Sequence, residues 1–133
     1  MPHLNWLAVL AAAVAAFALG GLWYSPVLFG RAWMSVNNLT EADLAKGNMA
    51  KIFGLALVFE VIMAANLAAF LAEPKTSAAW GATAGFLAGF GWVALAIATI
   101  ALFERRSWKY TLINGGYMTL SFVIMGLIIG AWR

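Results

Sequence analysis

The sequence predicts an all-α, polytopic membrane protein, a bundle of four transmembrane helices. Three features predict it: an excess of apolar residues, the length of the apolar runs and the placement of the few charges. Hydrophobic residues make up 65% of the chain and charged residues 10%, against roughly 45–50% and about 25% in ordinary soluble domains. A water-soluble fold of 133 residues has too much surface for its volume to hide that much apolar area. A bilayer removes the requirement. No shift in composition marks a second domain, so residues 1–133 read as a single transmembrane domain.

The four runs cover about 4–25, 52–72, 78–103 and 110–132, each near the length of about 20 residues needed to cross the hydrocarbon layer. Pro26 follows the first run, and Pro74 lies in the short link between the second and third, where a helix cannot continue. The first run has no Lys or Arg before it and is long for a leader peptide, so it is expected to be a retained helix.

The net charge of +3 does not indicate nucleic acid, which requires a continuous basic face. Here the basic residues sit beside apolar runs, where they orient a membrane protein. Arg31, Lys46 and Lys51 fall in the first connection and Arg105, Arg106 and Lys109 in the third, leaving Lys75 and Arg133 on the other side. This bias predicts that the first and third connections are cytoplasmic and that both termini lie outside the cytoplasm. Trp23, Tyr24, Trp33 and Trp108 sit near predicted helix ends and are expected to anchor the headgroup layer. Trp92 is the exception, expected to be buried within the third span. The absence of cysteine excludes disulfides, thiolate metal sites and cysteine nucleophiles.

The connection 28–51 is the one soluble-like part. Thr40-Glu41-Ala42-Asp43 reads as an N-cap with acids in the first turn of a short helix that Gly47 could end. Leu28, Phe29, Trp33 and Met34 are apolar enough to lie on the membrane surface. Small residues recur at four-residue spacing: Ala12, Ala16 and Gly20; Gly81, Gly85 and Gly89; Gly126 and Gly130. Such stripes allow close approach of helix backbones in lipid. Their number predicts a homo-oligomer.

Glu60 is the one ionisable residue inside a predicted span other than tyrosine. Counting from Lys51, it lies about 13 Å along the helix, near mid-bilayer. An ionised carboxylate there costs at least ~2.5 kcal/mol, so such a residue is a functional candidate. The competing reading is a protonated acid that hydrogen-bonds across helices. Asn114, Tyr117 and Ser121 share one face of the fourth helix, and the last two match Glu60 in depth. These four residues form the candidate binding site. No metal site, cofactor or catalytic residue is expected: the sole histidine, His3, lies at the terminus, and no nucleophile elbow or phosphate loop is present. The chain therefore does not read as an enzyme.

The segment Gly20-Gly21-Leu22-Trp23-Tyr24-Ser25-Pro26-Val27-Leu28-Phe29-Gly30-Arg31-Ala32-Trp33 is the most specific stretch. With Asn5-Trp6 and Asn114-Gly115-Gly116-Tyr117, it resembles the bacterial membrane family catalogued as domain of unknown function 1761. The resemblance covers essentially the whole chain. It implies a four-helix integral protein of a bacterial inner membrane and no assigned activity. Read physically, Pro26 ends the first helix and Gly30 permits a tight turn, which favours a structural corner over a ligand lip. Two functions are expected. One is proton-linked transport of an undefined small molecule or ion by an oligomer with Glu60 inside. The alternative is a non-catalytic scaffold or partner-binding subunit using residues 28–51. In either case the bilayer is the first partner.

Overall fold

A computed structural model describes residues 4–132, and His3 and Arg133 lie outside them. The described elements are α1 (Trp6–Trp23), α2 (Gly30–Val36), α3 (Glu41–Ala45), α4 (Met49–Phe70), α5 (Ala78–Ala88), a π-helical segment (Gly89–Ala94), α6 (Leu95–Phe103) and α7 (Trp108–Ala131). The π segment joins α5 and α6 into one continuous span, Ala78–Phe103. Four helices are thus long and apolar enough to cross a membrane, and the protein is a multi-pass membrane protein.

Capping side chains set where the spans begin. Asn5, Asn48, Ser77 and Ser107 each accept a hydrogen bond from a backbone N–H three residues on, satisfying a donor that has no partner within the helix. Hydropathy alone placed two of these starts late. Asn48 starts α4 at Met49 rather than 52, and Ser107 starts α7 at Trp108 rather than 110. The connection 28–51 is also more structured than a polar link. It holds α2 as well as the Thr40-capped α3, which stops at Ala45 with Lys46 as its C-cap.

The corner after α1 depends on Gly30. Its N–H bonds the Ser25 carbonyl at 2.8 Å, and a Cβ there would run into the backbone of Tyr24 and Ser25. Asn38 and Arg105 adopt left-handed φ values of 54° and 59°. Each follows a helix end closed by two backbone bonds. Arg105 N–H reaches the Leu102 carbonyl at 3.2 Å, and Arg106 N–H the Ala101 carbonyl at 2.9 Å. Asparagine tolerates this geometry; arginine is unusual where glycine is the common choice.

Packing centres on α7. Alanines 12, 13 and 16 of α1, Ala64 and Leu67 of α4, and Met125 and Ile129 of α7 are buried together. The third span packs mainly on α7, through its glycines. A Cβ on Gly81 would meet the Gly126 carbonyl, one on Gly85 the Phe122 carbonyl, and one on Gly130 the Ser77 carbonyl. The glycine stripes of the third and fourth spans therefore face each other within one chain. They carry no argument for a second copy. Trp92 differs from its expected buried position: it is 73% exposed, on the outer side of the π segment.

Two measurements check these assignments. Gly85→Ala should force α5 off α7 and cost about 1–3 kcal/mol, as overpacking does. Gly91→Ala, whose Cβ would meet nothing within 4 Å, should be neutral or stabilising; reversible unfolding in mixed micelles compares the two. The α3 cap should also respond to pH. Hydrogen bonds from the Thr40 backbone and side chain hold the Asp43 carboxyl below its usual 3.8. A depressed folded value means that the cap's contribution is complete above 3.8 and is lost as pH falls through the folded value. Amide exchange at Asp43 N–H should therefore gain an extra acceleration below that pH, beyond the intrinsic trend, and Asp43→Asn should abolish it.

Candidate functional site

The α7 face carrying Tyr110, Asn114, Tyr117 and Ser121 looks toward α1 and α4 and toward the end of the bundle that holds the first and third connections. That end carries Arg31, Lys46, Lys51, Arg105, Arg106 and Lys109 and is called the basic end below. Glu60 lies midway along α4 and is only 6% exposed. The Tyr117 hydroxyl stands 2.6 Å from Glu60 Oε1 and 2.9 Å from the Ala16 carbonyl of α1. Gly20 leaves room for it, because a Cβ there would lie 3.0 Å from the same oxygen.

Counting protons defines what this centre can do. A phenol has one proton and a carbonyl has none. Both contacts are hydrogen bonds only when Glu60 carries the second proton. The neutral carboxyl then donates to Tyr117 while Tyr117 donates to Ala16. With Glu60 ionised, Tyr117 turns its proton to the carboxylate and the Ala16 contact is no longer a hydrogen bond. Glu60 Oε2 and the fully buried Ser121 hydroxyl have no hydrogen-bond partner, so the centre has unused polar capacity.

Of the four expected site residues, the structure brings Glu60 and Tyr117 into direct contact and puts Ser121 one turn further along α7. Asn114 does not reach Glu60. Its Oδ1 accepts from the Tyr24 hydroxyl at 2.7 Å, and its Nδ2 donates to the Tyr110 carbonyl at 3.1 Å. Trp23 donates from Nε1 to the Ile113 carbonyl at 2.9 Å, and its ring lies against Gly116. Tyr24 packs edge-on against Trp33 at 5.8 Å and Tyr117 at 5.4 Å. Trp23, Tyr24 and Trp33 therefore hold the bundle together as well as sitting at its end. Trp108, 67% exposed, is free to sit among headgroups.

A cleft of about 460 Å³ opens beside this network, lined by Tyr117, Asn114, Tyr24, Trp33, Asn37, Tyr110, Ile97 and Met118. Sequence reasoning missed Tyr110, although it falls on the same helical face as Asn114 and Tyr117. Asn37 and Ile97 carried no signal, since their place depends on how α2 and α6 dock. Among the described residues no cluster of histidine, aspartate and glutamate could hold a metal ion.

The two motifs that carried the family resemblance meet in this site: Gly20, Trp23 and Tyr24 of the first pack on Tyr117, Gly116 and Asn114 of the second. No curated protein and no solved structure gives a match. A family model described as protein of unknown function (DUF1761) does, over residues 7–130, and the chain belongs to that family.

Proposed function

We propose that this protein carries a small solute or ion across a bacterial inner membrane in exchange for protons, with Glu60 as the proton carrier. The observation that carries the reading is the Glu60–Tyr117 contact of 2.6 Å, made by a tyrosine that also lines the cleft. A buried acid whose proton decides whether Tyr117 can bond α1 has two packing states, one for each charge. In this reading the charge bias of the connections orients the basic end, and the cleft, toward the cytoplasm, with both termini outside. The Glu60–Tyr117 centre is built from one chain, so an oligomer in this reading would add stability or a shared route and not the proton site itself.

The scaffold alternative narrows. Trp33 and Asn37 dock α2 on the chain's own bundle, whereas α3 buries none of its residues. A partner would have to engage α3 and its flanks, and a photocrosslinker at Glu41 should then capture one defined protein. A diffuse pattern of products would exclude this reading.

Reconstituted liposomes with an internal pH dye test the transport reading against a panel of cations and small solutes. Wild type should show solute-dependent proton flux. Glu60→Gln, which keeps the size and a hydrogen-bonding group, should lose it, and Tyr117→Phe should weaken it. Equal flux from wild type and Glu60→Gln would overturn the role of Glu60. Tyr117→Phe should also lower stability by about 1–3 kcal/mol by leaving a buried acid unpaired, read from unfolding in micelles.

A further inference from the structure

The third span leaves α7 as it approaches the basic end. Gly81, Gly85 and Gly89 bring α5 and the start of the π segment to backbone contact with α7, and a Cβ added to Gly115 would lie 3.3 Å from that of Ala94. Beyond Ala94, α6 contributes only Ile97 to the wall of the cleft. The cleft is therefore open sideways between α6 and α7, at the depth where the spans end.

Its mouth has spare donors and one uncompensated positive charge. The Arg106 guanidinium lies 4.6 Å from the centre of the Tyr110 ring and donates from Nη1 to Asn37 Oδ1 at 3.2 Å. Among the described residues no carboxylate pairs with it, Glu104 of the same turn included. The Trp33 indole N–H and the Tyr110 hydroxyl donate to no described residue. Each of the two amide oxygens already accepts from a neighbour, Asn37 Oδ1 from Arg106 and Asn114 Oδ1 from Tyr24. Arg106 also covers Tyr110, one of the rings a ligand cation would seek. This mouth suits an anion. Deeper in, Ile97 and Met118 offer an apolar wall.

We infer that the lateral cleft binds an anionic phospholipid, its phosphate held by Arg106 with Trp33 and Tyr110, and its upper acyl chain laid along Ile97 and Met118. A basic pocket between helices at a headgroup layer rich in acidic lipid has this ligand as its chemical complement. The contacts of Arg106 with Tyr110 and Asn37, both of which line the cleft, hold the guanidinium at the edge of it. The site does not depend on the proton reading of Glu60.

Native mass spectrometry of the full chain in detergent tests it with phosphatidylglycerol, phosphatidylcholine and inorganic phosphate. Wild type should retain phosphatidylglycerol over phosphatidylcholine by about fivefold or more, the factor expected for one basic side chain. Arg106→Gln should bring the two lipids to parity. Arg105→Gly removes the adjacent charge and relaxes a left-handed residue, and it should keep the preference. Ile97→Trp should lower retention of both lipids by filling the wall. A preference that survives Arg106→Gln, or falls equally in Arg105→Gly, would overturn the site. Displacement of the lipid by millimolar inorganic phosphate would reassign it to a soluble anion. Glu60→Gln should keep the preference for phosphatidylglycerol, because Arg106 contacts Tyr110 and Asn37 and not Glu60, so loss of proton flux and loss of lipid preference are read separately.

Discussion

Apolar helices in hydrocarbon gain nothing from hiding apolar surface from one another, because the lipid is as apolar as they are. Cohesion must come from close backbone contact and from rare polar bonds. In this chain the polar part converges on the Tyr117 hydroxyl, which touches Glu60 of α4 and the Ala16 carbonyl of α1 from its place on α7. Three of the four spans meet at that oxygen. Its surroundings are shaped for it: Gly20 clears the space, Tyr24 stacks on the ring's edge, and Trp23 fastens the end of α1 to Ile113.

The fourth contact follows a different rule. The span Ala78–Phe103 carries no polar group into that centre and holds α7 by glycine-to-carbonyl approach. Such contact needs small residues in register, and the register ends at Gly89. From there the wider π turn carries the chain into α6; Ala94, the last π residue, still lies against Gly115, and Ile97 of α6 lines the cleft. The cleft lies where this departure occurs, and Tyr24, with Trp33 of α2, forms part of its lining. A chain with glycines continued along α6 would close it.

Hydropathy made the four spans legible because each crosses the same hydrocarbon thickness. The caps that refine their ends were also in view as Asn48 and Ser107, but an apolar-run criterion does not weigh them. The pairing of Tyr117 with Glu60 was within reach because both helices start from the same end and rise at one rate per residue, so counting gives depth. Counting does not give rotation, which is why Asn114, at a shallower level, turned out to face Tyr24. The glycine stripes were legible as packing surfaces without naming their partner. Nothing local reveals that Gly81 faces Gly126. The cleft was hidden for the same reason, since Asn37 and Arg106 are 69 positions apart and meet only once α2 and the last hairpin are docked.

The two sides of α7 therefore divide stability from responsiveness. On the glycine side no titratable group takes part, and the packing is indifferent to charge. On the tyrosine side, the bond to α1 exists in full only while Glu60 is neutral, because one phenolic proton cannot serve two acceptors. An apolar residue at position 60 would pack α4 without this dependence. A carboxyl there, with one buried oxygen that has no hydrogen-bond partner, is costly as pure structure. Its position fits the proposed function, in which the grip of α7 on α1 follows a proton. Because Tyr24 and Tyr117 both line the cleft and touch each other, a change in that grip reaches the cleft within two side chains.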